Sequence, residues 1–265
     1  IIRLTALIST FWTTIGPIVV ALPSVPAELI RVATAIAASP GFAIDLAKVG
    51  PACALIFLVA ALPPRMSRPL PAGSSHDARL AEIMRRFAHD IVGALAACLL
   101  AVLFSELAFD PAVASGQLAR AVLDFTLLFR LSLMVPAILF RPGESNLRLL
   151  RAHDRQIAQA RPALVAALGV GIGFPALIPV WLGNGMDWMA GQALAVIMGM
   201  IAASLGFLAV RRFLSPVPGL WPRWRRFAGF GAIGFWLTWS YGVIALDFPF
   251  FFAVIRVGAV ATLGL

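Results

Sequence analysis

The chain has 265 residues, of which 61% are hydrophobic and only 12% are charged. A soluble domain averages roughly 45–50% apolar and about 25% charged residues, so this composition excludes a soluble enzyme, a disordered chain and a disulfide scaffold. The sequence is typical of an integral membrane protein.

The apolar segments have the lengths of membrane-crossing helices, which need about 20 mostly apolar residues. The segments that satisfy this, in chain order, are 42–62, 91–108, 119–140, 163–182, 192–210 and 227–246. Two further segments are less regular, because 1–22 is rich in Thr and 250–265 contains Arg256. We therefore predict an all-α fold, a polytopic membrane helix bundle with six to eight transmembrane helices. Segment 26–38 is predicted as an interfacial helix.

The Pro-rich stretch 63–75 (PPRMSRPLPAGSS) is the best internal boundary. Before it, residues 1–62 form an outer-face or interfacial segment and the first regular span. Residues 63–90 form a basic linker and an amphipathic segment, in which Leu80, Ile83, Met84 and Phe87 share one helical face. Residues 91–265 form the multi-span bundle.

The net charge of +9 is explained by where the arginines lie. Fifteen of the 21 basic residues fall in loops 63–90, 141–162 and 211–227, whereas loops 109–118, 183–191 and 247–249 contain none. Cytoplasmic loops retain Lys and Arg, so the three basic loops are predicted to be cytoplasmic. The basic charge then indicates contact with anionic membrane lipids and no nucleic-acid partner.

Arg130 is the most costly residue to place in a membrane, since it lies near the middle of the predicted span 119–140. We expect its side chain to face the neighbouring span that contains Glu106, or a headgroup-filled crevice between helices. Ala137, Thr126 and Leu133 lie on or near the same side of the helical wheel. A contact with solute, ion or lipid and a structural ion pair both remain open for Arg130.

Three other charged residues are candidates for intramembrane ion pairs: Arg120, Asp124 and Glu106. Asp124 follows Arg120 by four positions, a spacing at which side chains meet on a helix. Glu106 lies at the predicted outer end of the preceding span. These acids are interpreted as boundary residues, with a cation entry as the alternative.

The signatures of catalysis are absent from the sequence. The pairs His76-Asp77, His89-Asp90 and His153-Asp154 have no further ligands at helical spacing, and there is no HExxH motif. A formal GxGxxG match at 229–234 lies inside an apolar span, where small residues favour helix packing. We therefore predict no catalytic residue, no cofactor, no metal and no enzymatic activity.

One stretch carries a family resemblance. Residues 119–160 run through a helix into LMVPAILFRPGESNLRLLRAHDRQIAQA (133–160), in which an arginine-proline loop is followed by the Asn146-Leu147-Arg148-Leu149-Leu150 motif and a charged helix. This resembles the amino-terminal membrane region of the large, multi-helix branch of the mechanosensitive channel of small conductance (MscS-like) family. The order from 22–28 (LPSVPAE) onward, with an apolar span, a basic linker and paired spans, is similar too.

The resemblance implies that the chain is the peripheral, membrane-embedded sensor of a tension-gated ion channel in the bacterial inner membrane. Nothing in the chain matches the family's Gly/Ala-rich pore helix or its β-rich cytoplasmic vestibule, so these are expected after Leu265. The resemblance also implies a homo-oligomer, a heptamer if the family's assembly holds. A lipid-headgroup role could carry over to Arg141, Arg148 and Arg151, beside Arg130. The alternative hypothesis is a transporter or permease component with a solute path near Arg130.

Overall fold

The computed structural model describes residues 16–61, 76–140, 153–216 and 219–245, and all the regular structure in these ranges is helical. This confirms the predicted all-α membrane helix bundle. The seven helices are α1 (Gly16–Ala37), α2 (Phe42–Ala61), α3 (His76–Ala108), α4 (Ala114–Phe140), α5 (Asp154–Gly183), α6 (Trp188–Leu214) and α7 (Leu220–Ala245).

Five of these helices, α1, α2, α3, α5 and α6, are long enough and apolar enough to cross a membrane by length and composition. The other two, α4 with 27 residues and α7 with 26, are as long, and the predicted spans 119–140 and 227–246 lie along them and stay predictions. Helices suit this environment because they satisfy every backbone polar group internally where no water is present. The segment 250–265 lies outside the described residues.

Helix α1 differs from the prediction, which placed an interfacial helix at 26–38. The helix is instead continuous from Gly16, with a short 3-10 turn at Leu22–Ser24, and is long enough to cross the membrane. Pro23 and Pro26 do not break it, because each lies at the start of a helical segment, where no backbone N–H is needed. Val32 and Ile36 are buried against α6, which holds the helix in the bundle.

Helix α3 joins the predicted amphipathic segment to the span in one helix of 33 residues. At about 1.5 Å per residue it is about 50 Å long, well beyond a hydrocarbon core of about 30 Å. Met84, on the predicted apolar face, is 57% exposed, as expected of a side chain that faces lipid. Arg86 is buried instead and bonds to Glu82, with Nε 2.5 Å from Oε1.

The helices pack in two groups that share α4. Helices α2, α3 and α4 surround a core that contains Ile56, Leu123 and Phe109. Helices α1, α5 and α6 meet α4 around a second core, with Val32, Met186 and Leu194. Helix α7 lies against α6. Both cores are rich in alanine, a small residue that allows the close approach of helices on which membrane bundles depend.

The connections gather at two ends of the bundle. One end lies across the bundle from the arginine-rich end, and we call it the opposite end. There Ser115 donates to Asp45 at 2.7 Å, Lys48 donates to the Ala108 carbonyl at 3.3 Å, and Asn184 donates to the Gln117 side chain at 3.2 Å. The other end, the basic end, carries the arginines of α3, α5, α6 and α7: Arg85, Arg86, Arg155, Arg161, Arg211, Arg212, Arg223, Arg225 and Arg226.

The two ends are expected to lie on different sides of the membrane, with the basic end in the cytoplasm. Single cysteines are introduced at exposed positions of each end, as Ala112→Cys and Ser215→Cys, after Cys53→Ala and Cys98→Ala remove the native thiols. In intact cells a membrane-impermeant maleimide should label Ala112→Cys and should reach Ser215→Cys only after permeabilisation. The reverse pattern would overturn the orientation.

Candidate functional site

The candidate site is a cavity of about 180 Å³ near the basic end, between α4, α5 and the end of α6. Arg130 lines it from α4 and is half-buried, and Arg161 lines it from α5 and is exposed. The other described lining residues are apolar: Leu133, Pro136, Ala137, Ile157, Ala160, Leu164, Val165 and Phe213. The two arginines are the charged groups among the described residues of the lining.

Helical spacing explains why these side chains converge. Arg130, Leu133 and Ala137 follow each other at three and four positions on α4, and Ile157, Arg161 and Leu164 do so on α5, so each set forms one stripe. Ala137 and Ala160 are small, and the two facing stripes therefore leave space between them.

The start of α5 is firmly held, which positions Arg161. His153 and Gln156 form a capping box, in which the His153 backbone N–H donates to the Gln156 Oε1 at 2.8 Å. The buried Gln156 side chain also donates to the Phe213 carbonyl of α6 at 3.1 Å. Gln156 thus caps the N-terminus of α5 and also joins α5 to α6 beside the cavity.

Arg130 has a charged neighbour on α3 and also lines the crevice between α4 and α5. The Asp90 carboxylate of α3, the helix that contains Glu106, attracts the Arg130 guanidinium. The acid concerned is Asp90, about 24 Å nearer the basic end than Glu106 along α3. The same side chain lines the crevice between α4 and α5, together with the predicted Ala137 and Leu133.

Thr126 lies one turn before Arg130 on the same helix, as predicted, but it does not line the cavity. Thr126 is buried against α2, with its Oγ1 3.2 Å from Cys53 Sγ, and its hydroxyl donates to the Val122 carbonyl at 2.7 Å. The cavity therefore begins at Arg130 and extends toward the basic end, away from Thr126.

The three ion-pair candidates lie at the opposite end. Arg120 Nη1 is 3.2 Å from Glu106 Oε1, and the Arg120 guanidinium also donates to the Phe109 carbonyl at 3.0 and 3.2 Å. A cation is favourable there because carbonyls at a helix C-terminus carry partial negative charge. Asp124 is half-buried one turn further along α4. The Glu106 side chain is 65% exposed, so the pair lies at the rim of the bundle.

The loop arginines Arg141, Arg148 and Arg151 lie outside the described residues. Their proposed headgroup contacts stay predictions.

Sequence reasoning missed two residues of the site. Arg161 was counted as a loop arginine, although it precedes the uncharged segment 163–182 by only two residues and so belongs at the headgroup level. Asp90 was considered only as a neighbour of His89. The His89 Nδ1 lies 2.7 Å from the Arg85 carbonyl, which binds the ring to its own helix.

No set of three or more His, Cys, Asp or Glu side chains with metal-binding geometry exists in the described part of the chain. Cys53 and Cys98 are free thiols within the helices. Since the full sequence also has no ligand set at metal-binding spacing, the purified protein is expected to contain zinc and iron far below one atom per chain. Elemental analysis measures this after exchange into metal-free buffer, and a stoichiometric content of either metal would contradict the expectation.

Comparison with protein-family models, with curated proteins and with solved structures gives no match to the chain. The class of the protein therefore follows from its own residues. It is an all-α membrane protein with several transmembrane helices and an arginine-lined cavity near its basic end.

Proposed function

We propose that the chain forms the membrane-embedded sensor helices at the periphery of a tension-gated ion channel. The observation that carries the proposal is the resemblance of residues 119–160 to that region of the MscS-like family. The packing is compatible with this role, since only 17–39% of the residues in each candidate span are buried within the described part of the chain. In this proposal the remaining helical surface faces lipid.

Lipid exposure matters because tension does work on membrane area. A conformer whose helices occupy more area is favoured as tension rises, in proportion to the difference in area between the two conformers. Helix α7 touches mainly its sequence neighbour α6, so it can tilt without disrupting the two cores. In this proposal the tilt is transmitted to a pore helix that follows in the chain, and the basic end lies in the cytoplasm of a bacterial cell.

The test is patch-clamp recording from giant liposomes that contain the natural protein. Suction should produce conductance steps that weakly discriminate between ions, and native mass spectrometry should show a homo-oligomer. Absence of any pressure-dependent current up to membrane rupture would refute the channel. The coding sequence after Leu265 gives a cheaper test, because the proposal requires a Gly/Ala-rich helix followed by a β-rich domain.

The cavity at Arg130 supports a second candidate function, a transporter or permease component. A cationic group inside a membrane is expensive and commonly marks a solute or ion path. Under this alternative, liposomes should accumulate an anionic solute without applied tension, and Arg130→Gln should abolish the uptake. The channel proposal expects no such uptake at rest.

A further inference from the structure

We propose that the cavity lined by Arg130 and Arg161 binds the headgroup phosphate of an anionic phospholipid from the basic end. The two guanidinium groups contact the phosphate, and the apolar lining receives the first part of an acyl chain. The inference concerns binding and holds whether or not the chain belongs to a channel.

The depth of the two arginines agrees with a lipid phosphate. Helix α5 has 30 residues and is about 45 Å long, so about 7 Å extends past each face of a 30 Å hydrocarbon core. Arg161 is about 10 Å from the start of α5 and hence just inside this boundary. Arg130 is about 15 Å from the end of α4, and its long side chain can extend back toward the interface.

The charges agree as well. Arginine binds phosphate with two parallel hydrogen bonds, and a guanidinium has five N–H donors, more than one carboxylate can use. Arg130 can therefore keep its interaction with Asp90 and still donate to a phosphate. Arg161 is exposed at the mouth of the cavity and contributes a second positive charge.

The apolar lining identifies the occupant as a lipid instead of a free phosphate ion. Eight apolar residues line the cavity beside the two arginines, and a small hydrated anion would leave that surface without a partner. A phospholipid covers both parts, since its phosphate meets the arginines and its chain meets Leu133, Ile157 and Leu164. The phospholipid also arrives from the membrane that surrounds the chain.

The test measures lipid binding to the purified full chain in detergent by native mass spectrometry. Phosphatidylglycerol, which is anionic, is compared with phosphatidylcholine, which is zwitterionic. Arg161→Gln should weaken phosphatidylglycerol binding about tenfold, the loss expected for one charge-assisted contact. Arg155→Gln is the matched control, because it removes an equal charge from an exposed position on α5, and it should change binding less than twofold.

Two further variants separate the phosphate contact from the acyl-chain contact. Arg130→Gln should also reduce the preference for phosphatidylglycerol, with circular dichroism confirming that the helices remain. Ala137→Phe fills the cavity from an exposed position and should weaken both lipids alike. The proposal is overturned if Arg161→Gln leaves the preference intact, or if Arg155→Gln reduces it equally, which would indicate surface charge alone.

The last measurement is competition between inorganic phosphate and phosphatidylglycerol. Millimolar phosphate should not displace phosphatidylglycerol, because the free ion lacks the acyl chain. Displacement at that concentration would show a site for free anions and refute the lipid assignment. The tension recordings are independent of this experiment, so a failure of one can be told from a failure of the other.

Discussion

Gly199→Ala should destabilise the bundle by about 1–3 kcal/mol, the range for inserting a methyl group into a packed interface. A Cβ at Gly199 on α6 would overlap the indole ring of Trp239 on α7. Trp239 is 7% exposed and donates through Nε1 to the Ala195 carbonyl at 3.0 Å, so it has little freedom to move. The measurement is the denaturation midpoint of the purified protein in detergent.

Gly206→Ala on the same helix is the control. Nothing lies within 4 Å of a Cβ at Gly206. The substitution there changes only helix propensity, which favours alanine by about 1 kcal/mol in a helix interior. The two substitutions should therefore shift the midpoint in opposite directions. Equal shifts would show that Trp239 does not pack on Gly199 in the protein.

Arg130→Leu should destabilise the protein by about 2 kcal/mol. The reason is that Asp90 would lose an attractive charge, and removing one partner of a fully buried pair costs about 3–5 kcal/mol. The smaller value applies because Arg130 is only half-buried. If the chain serves a channel, the substitution should also shift the tension at which the channel opens.

A double-mutant cycle isolates the interaction between Asp90 and Arg130. Asp90→Asn combined with Arg130→Leu should cost less than the sum of the single changes, by at least about 0.5 kcal/mol. Arg155→Gln, a surface change, should remain within about 0.5 kcal/mol of the parent protein. Strict additivity of the two single changes would show that the residues do not interact, and Arg130 would then have to be stabilised by another group.

The helices could be predicted because few backbone structures are stable inside a membrane. In α5 and α6 an uncharged run of membrane-crossing length settles the structure, since a backbone in hydrocarbon has to satisfy its own hydrogen bonds. The continuity of helix α1 is harder to predict, because Pro23 and Pro26 lie within it. Each proline lies at the start of a helical segment, where it does not break the helix. The residue types alone do not determine where these segments begin.

Only part of the candidate site could be predicted from the sequence. Arg130 stands out because a charge within an apolar span has a known cost. Its companions do not stand out, because Arg161 lies on another helix and looks like any other loop arginine. Asp90 is likewise separated from Arg130 by the second half of α3 and the first half of α4.

By itself the sequence determined the membrane environment, the all-α class, the approximate limits of most helices and the alternation of arginine-rich with arginine-free connections. These depend on composition and on segment length, which are local properties. Tertiary structure alone decided that Arg120 meets Glu106, that Thr126 faces Cys53, and that Arg130 and Arg161 line one cavity. The physical reason is that lipid tails are as apolar as leucine, so a hydrophobic helix face does not reveal whether it meets lipid or protein. Only the packed helices distinguish the two.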